Sequence, residues 1–148
     1  LSGDLLYFTD KLIINYNPTK VFIYEGDNDI AYDKSPKEVI ENITTIIEKI
    51  RNKKPNTYIV LISAKPSISR WHFKKKYKQL NRKLKRITKK DSLLHFVDVW
   101  KPMLNGKKLN TNLFSSPTIA TSITLSSGLR FTPFTHAAAL PIGRTSSS

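Results

Sequence analysis

The chain has 148 residues, with 25 basic and 11 acidic side chains, a formal charge of +14 and 39% hydrophobic residues. That length holds one globular domain with a real core and argues against two full ones. Cysteine is absent, which excludes disulfides, thiolate metal sites and a cysteine nucleophile, and no apolar run approaches the roughly 18 residues of a membrane-spanning helix. Leu1 is preceded by no basic, apolar leader, and the natural beginning is expected to lie upstream.

In chain order, Asp4 is predicted to cap a short helix through Leu5, Leu6, Phe8, Leu12 and Ile13, ending near Asn17-Pro18. Val21-Phe22-Ile23-Tyr24 reads as a buried strand running into the polar turn Glu25-Gly26-Asp27-Asn28-Asp29. Ser35, Pro36 and Glu38 form a capping-box start for a helix whose apolar face is Val39, Ile43, Ile46, Ile47 and Ile50. Tyr58-Ile59-Val60-Leu61-Ile62 is a second apolar strand, and Leu94-His95-Phe96-Val97 with Val99 a third. Between them a helix is predicted over residues 69–89. The order α-β-α-β-α-β with continuous apolar strands predicts an α/β fold with a parallel sheet covered on both faces. In such sheets ligands bind beyond the carboxyl ends of the strands, where the 25–29 turn sits.

The charge is concentrated. Residues 1–69 are balanced, with nine basic and nine acidic side chains, whereas residues 70–90 carry eleven Lys/Arg and no acid. Phe73, Tyr77, Leu80, Leu84 and Ile87 recur at helical spacing through this basic stretch, so one face is predicted to pack and the other to be solvated. A non-catalytic module binding nucleic acid or an anionic membrane through this helix is the alternative that the charge allows. From residue 111 onward only Arg130 and Arg144 are charged, and Ser and Thr supply 15 of 38 residues. This Ser/Thr-rich tail shows no persistent helical or strand period.

Gly26-Asp27-Asn28-Asp29 after a buried strand resembles the third block, Gly-x-Asn-Asp, of the SGNH (GDSL-type) hydrolase superfamily. The surroundings resemble a bacterial acylhydrolase subgroup of it: Asp4-Leu5-Leu6-Tyr7-Phe8, Tyr24 to Ile30, Ile62-Ser63-Ala64-Lys65-Pro66-Ser67, Ser69-Arg70-Trp71, Phe96-Val97-Asp98-Val99-Trp100 and Pro102-Met103-Leu104. The resemblance covers about residues 1–116. It implies a three-layer, flavodoxin-like α/β/α sandwich, here incomplete, and ester hydrolysis by a serine nucleophile through an acyl-enzyme, without a cofactor or a metal. It implies that the substrate of an intact member is a small ester, a lipid or an acylated carbohydrate, and no specific nucleic acid is expected. Carried over, Asn28 is the oxyanion-hole donor, Gly26 lets the loop turn close to the site, and Asp27 and Asp29 support the loop.

The chain departs from the pattern at both ends. No Gly-Asp-Ser nucleophile block is present; Ser2-Gly3-Asp4 has the letters in another order and precedes a helix. The nucleophile and the second-block glycine are expected upstream of Leu1. The closing Asp-x-x-His, which supplies the general base, is due after Leu113-Phe114-Ser115-Ser116, where the chain instead reads Pro117-Thr118-Ile119-Ala120-Thr121-Ser122-Ile123. Shifted by two bases, codons for that stretch can spell Asp-x-x-His-Leu-Asn. A partial hydrolase domain over residues 1–116 and an aberrant, disordered or frameshifted tail over 117–148 are therefore expected. The chain as given is expected to be inactive, with strand 21–24 left as an exposed edge beside the absent first strand. His72, His95 and His136 have no Asp three residues earlier and are read as structural or solvated, and Trp71 and Trp100 as packing residues.

Overall fold

The three continuous apolar runs become three parallel strands. The computed structural model describes residues 1–114 and the backbone of residues 137–139. In chain order it has helices α1 (Ser2–Tyr7) and α2 (Thr9–Leu12), strand β1 (Lys20–Ile23), helices α3 (Asp27–Ala31) and α4 (Pro36–Lys53), strand β2 (Tyr58–Ile62) and helix α5 (Lys74–Ile87). Strand β3 (Leu94–Val97), the short hairpin β4 (Leu104–Asn105) and β5 (Lys108–Leu109), and β6 (Ala137–Ala139) follow.

The main sheet has the order β3-β2-β1-β6. β1 pairs in parallel with β2 (Val21 opposite Ile59), and β2 with β3 (Leu61 opposite Phe96). β6 runs antiparallel to β1, Phe22 facing Ala138, and so lies on the side of β1 expected to be open. The rest of the tail, including His136 and the proposed frameshift at 117–123, lies outside the described residues.

Strand alternation divides the core. Val21, Ile23, Ile59, Leu61 and Leu94 face the helices, where Leu5 of α1, the isoleucines of α4, and Tyr77, Leu80 and Leu84 of α5 bury against them. Each such aliphatic side chain contributes about 1.5–3 kcal/mol by leaving water. The opposite face carries a smaller cluster, Val60, Ile62 and Val99, flanked by Phe22, Tyr24, Tyr58 and Val97. The described helices α1, α4 and α5 thus form one layer over one face.

Several elements depart locally from the sequence expectation. The first helix is broken at Phe8 into α1 and α2. Asp4 is not its cap but lies in its first turn, its carboxylate accepting from the Leu1 ammonium at 3.0 Å. Asn17, at φ 51°, ends the segment in the left-handed conformation before Pro18. At α4, the Ser35 hydroxyl accepts from the Glu38 N–H at 3.1 Å as expected, but the Glu38 side chain is held by Lys34. The basic stretch is a 3₁₀ turn, Trp71–Phe73, followed by α5, with Tyr77, Leu80 and Leu84 buried. Among the described residues no helix is long and apolar enough to cross a membrane.

Candidate functional site

The segment 25–29 is not an open turn. Gly26, at φ 103°, reverses the chain at the carboxyl end of β1 and starts the single turn α3. Its lack of a side chain is required twice. The conformation is one that L residues rarely adopt, and a Cβ there would lie 2.5 Å from Leu80 Cδ2 and 3.1 Å from Val39 Cγ1. The loop can therefore press against α4 and α5 only with glycine at this position.

Asp27, Asn28 and Asp29 point to three different partners. The Asp27 carboxylate pairs with Arg70 Nη1 at 3.0 Å and accepts from the Tyr24 hydroxyl at 3.5 Å. The Asp27 carbonyl accepts from the Tyr77 hydroxyl at 3.0 Å. Burial and the Asp27 charge hold both tyrosines well above the ordinary phenol range, so they act as neutral donors. Arg70, in turn, is pushed further up by Asp27 despite the opposing effect of its own partial burial.

Asn28 Oδ1 accepts from Arg70 Nη2 at 3.1 Å. A guanidinium only donates, so it must face the amide oxygen and turn the Asn28 NH₂ away from itself. Asn28 is half-buried, and Arg70 grips Asp27 and Asn28 with separate nitrogens, which fixes their relative geometry.

Asp29 is fully buried and belongs to the scaffold. Its two oxygens accept from the Ser2 N–H at 3.1 Å each, and Oδ1 accepts from the Ser2 hydroxyl at 2.6 Å. Asn42 Nδ2 of α4 donates to that hydroxyl at 3.0 Å. This chain of bonds fastens α1, the site loop and α4 together, and it brings the Ser2-Gly3 pair to the carboxyl end of β1. Glu25, next to the loop, is 5% exposed. Burial pushes its carboxyl up to about 7, with Asp29 and Asp4 adding to the shift and the Leu1 ammonium opposing it.

Arg70 is delivered by the connection after β2. The Ser63 hydroxyl accepts from the N–H groups of Val99 and Trp100, at 2.9 and 3.2 Å. Buried Asn81 of α5 accepts from the Ala64 N–H at 2.9 Å and donates to the Ala64 carbonyl at 3.0 Å. Trp71 stacks on Trp100 with ring centroids 5.9 Å apart.

Sequence reading singled out Gly26, Asp27, Asn28 and Asp29, and the structure places them at the carboxyl end of β1, in and just before α3. It missed the roles of Arg70, Ser2 and Asn81, because polar side chains bonded across 42, 27 and 17 residues leave no local pattern. It also missed the β4–β5 hairpin, for which Asn105-Gly106 was an available signal, Gly106 having φ 61°. His95 stacks on Tyr58 at 4.3 Å and its Nε2 lies 3.0 Å from the Ser92 carbonyl, away from the loop, while His72 is exposed in the 3₁₀ turn.

A solved structure from Streptococcus pneumonia, provisionally described as a platelet activating factor, superposes with a TM-score of 0.64 at 24% identity, covering 74% of this chain and 55% of that one. A provisionally assigned acylhydrolase from Bacteroides fragilis does so with a TM-score of 0.64 at 22% identity, covering 89% and 62%. At these identities the likeness establishes the fold, and the chain spans roughly three fifths of the length of these neighbours. No curated protein matches. The sequence profile of one family covers residues 4–136, from α1 through the Gly26–Asp29 loop and beyond. With an α/β fold shared with acylhydrolase neighbours and a profile match over most of its length, the chain belongs to the GDSL-like lipase/acylhydrolase family.

Proposed function

We propose that the intact protein is a serine acylhydrolase and that the segment described here supplies its oxyanion-binding wall. The reading rests on one observation: Arg70 holds the oxygen of the Asn28 amide, so the NH₂ is presented as a donor at the carboxyl end of β1. A neutral amide donates to a developing oxyanion without changing its own protonation state, and fixed donors of this kind cost no reorganisation during reaction. Asp27 and Arg70 position Asn28, and Asp29 anchors its loop to the scaffold. The acyl-enzyme would form on a serine that this chain does not supply in a Gly-Asp-Ser block, with proton transfer by a histidine from an Asp-x-x-His block that it also lacks. The substrate is then a small carboxylic ester, a lipid or an acylated carbohydrate, and the 148-residue chain alone is inactive.

The test begins with the coding DNA on both sides of this segment. If an upstream Gly-Asp-Ser block and a shifted-frame Asp-x-x-His are present, the restored protein should hydrolyse p-nitrophenyl acetate. Asn28→Ala should then lower its kcat by about 10²–10³. Serine-dependent turnover by the 148-residue chain alone, or an unchanged kcat in the restored Asn28→Ala protein, would refute the proposal.

A further inference from the structure

Tyr77 carries an atom that its place in the core does not need. The apolar stripe of α5 and the turn before it runs Phe73, Tyr77, Leu80, Leu84 and Ile87, and these side chains build the main core or pack against it. Phenylalanine, as at Phe73 one turn earlier, would fill such a position equally. Tyr77 is 1% exposed, and a hydroxyl buried that far destabilises the fold unless it is hydrogen-bonded. Its partner lies 50 residues away: the hydroxyl donates to the Asp27 carbonyl at 3.0 Å. Burial and the Asp27 charge keep the phenol protonated far above neutral pH, so it remains a donor wherever an ester hydrolase works.

That bond falls beside a steric stop. Tyr77 and Leu80 are three residues apart and share one face of α5. Leu80 is the side chain with which a Cβ at Gly26 would collide, at 2.5 Å. Leu80 therefore limits how closely the start of α3 approaches α5, and the Tyr77 hydroxyl holds it at that limit. Lys76 pairs with Asp33, just past the end of α3, at 2.6 Å. Asn28 is the second residue of α3. Its backbone is thus set by α5 on one side, while Asp29 ties the same turn to Ser2, and through Ser2 to Asn42, on the other.

We propose that Tyr77 is a positioning residue for Asn28, holding the backbone from which the amide is presented, whereas Arg70 orients the amide itself. The inference rests on the reading of Asn28 as the oxyanion donor. It adds that the donor's place is set by a helix outside the site loop. A displacement of about 1 Å at a positioning contact can cost about 10²-fold in rate. Arg70 still holds the Asn28 oxygen when the Tyr77 hydroxyl is removed, so the expected loss is smaller. It should be about tenfold and fall on kcat, because the oxyanion exists only along the reaction path.

Two measurements test this. In the 148-residue chain, the Asn28 side-chain amide is identified by NMR as the pair of signals lost in Asn28→Ala. Its heteronuclear NOE should be that of an ordered group, and should fall in Tyr77→Phe. The Asn81 amide, on the same helix and bonded to both Ala64 backbone groups, should not change. An unchanged Asn28 signal, or an equal loss at Asn81, would overturn the role. In the protein restored with its Gly-Asp-Ser and Asp-x-x-His blocks, Tyr77→Phe should lower kcat about tenfold on p-nitrophenyl acetate and leave KM unchanged. In an Asn28→Ala background the same substitution should change kcat by less than about twofold, since a residue acting through Asn28 has nothing left to position. Equal losses in the two backgrounds, or a loss carried by KM, would overturn the role. Full kcat in Tyr77→Phe beside a normal loss in Asn28→Ala would overturn it alone, whereas full kcat in Asn28→Ala would overturn the oxyanion reading beneath it.

Discussion

Replacing Glu25 with glutamine separates one buried charge from every other pH effect in the molecule. Glu25 is 5% exposed, and burial raises its carboxyl from 4.5 to about 7 in the folded chain. Below pH 4.5 both folded and unfolded chains carry the proton and the full stability is present. As pH rises from 4.5 the unfolded chain ionises first, while the folded chain keeps its proton, so stability is lost through the interval up to about 7. At about 1.4 kcal/mol per pH unit, that interval amounts to about 3 kcal/mol, a large fraction of the stability of a small domain. Glutamine fills the same space without titrating. Urea denaturation at pH 4.5, 6, 7 and 8 should therefore show Glu25→Gln close to the parent at the acid end and about 3 kcal/mol more stable at pH 8. A difference between the two proteins that stays constant across this range would refute the assignment of the shift to Glu25.

Three further perturbations test the scaffold around the site. Gly26→Ala forces a side chain into a left-handed backbone and against Leu80, and should cost about 2–4 kcal/mol, read as a lower urea midpoint; a loss under about 1 kcal/mol would show that the loop does not press on α5. Asn81→Ala strands the buried Ala64 N–H and carbonyl and should cost about 2–4 kcal/mol by thermal denaturation, with no loss if water replaces both bonds. A double-mutant cycle of Arg70→Met and Asp27→Asn should return a coupling of about 0.5–1 kcal/mol, and a coupling near zero would mean that the pair does not form in solution.

What the sequence made legible follows from the range of each interaction. β1, β2 and β3 were readable because strands buried in a parallel sheet are continuous apolar runs, and α4 because Ser35, Pro36 and Glu38 mark its start locally. The Gly26–Asp29 loop was readable by resemblance, and its geometry partly by chemistry, since only glycine fits φ 103° against Leu80. The break between α1 and α2 was not legible: Phe8 and Leu12 keep the helical spacing yet are exposed, and Ile13 alone of that trio is buried. Asp4 looked like a cap because capping residues and first-turn acids are the same residue types. The choice was made by the backbone, since the Asp4 and Leu5 N–H groups both donate to the Leu1 carbonyl and so put Asp4 inside the first turn. Arg70 was read as part of a matching segment, but its bond to Asn28 spans 42 residues and leaves no local pattern.

Asn81 has a consequence for how the chain is assembled. Its amide presents a donor and an acceptor to Ala64, as the backbone of a neighbouring strand would, and so adds one rung to the sheet from a helix. The Ala64 amide proton is consequently guarded by the docking of α5 rather than by the pairing of β2 with its neighbours. In hydrogen exchange it should open and close with the helix, on a different schedule from Ile59 and Leu61 a few residues earlier. The segment that carries Arg70 to Asn28 is thus tied at its start to two separate elements, to α5 through Asn81 and to the end of β3 through Ser63, so loosening either one should reach the loop at the site.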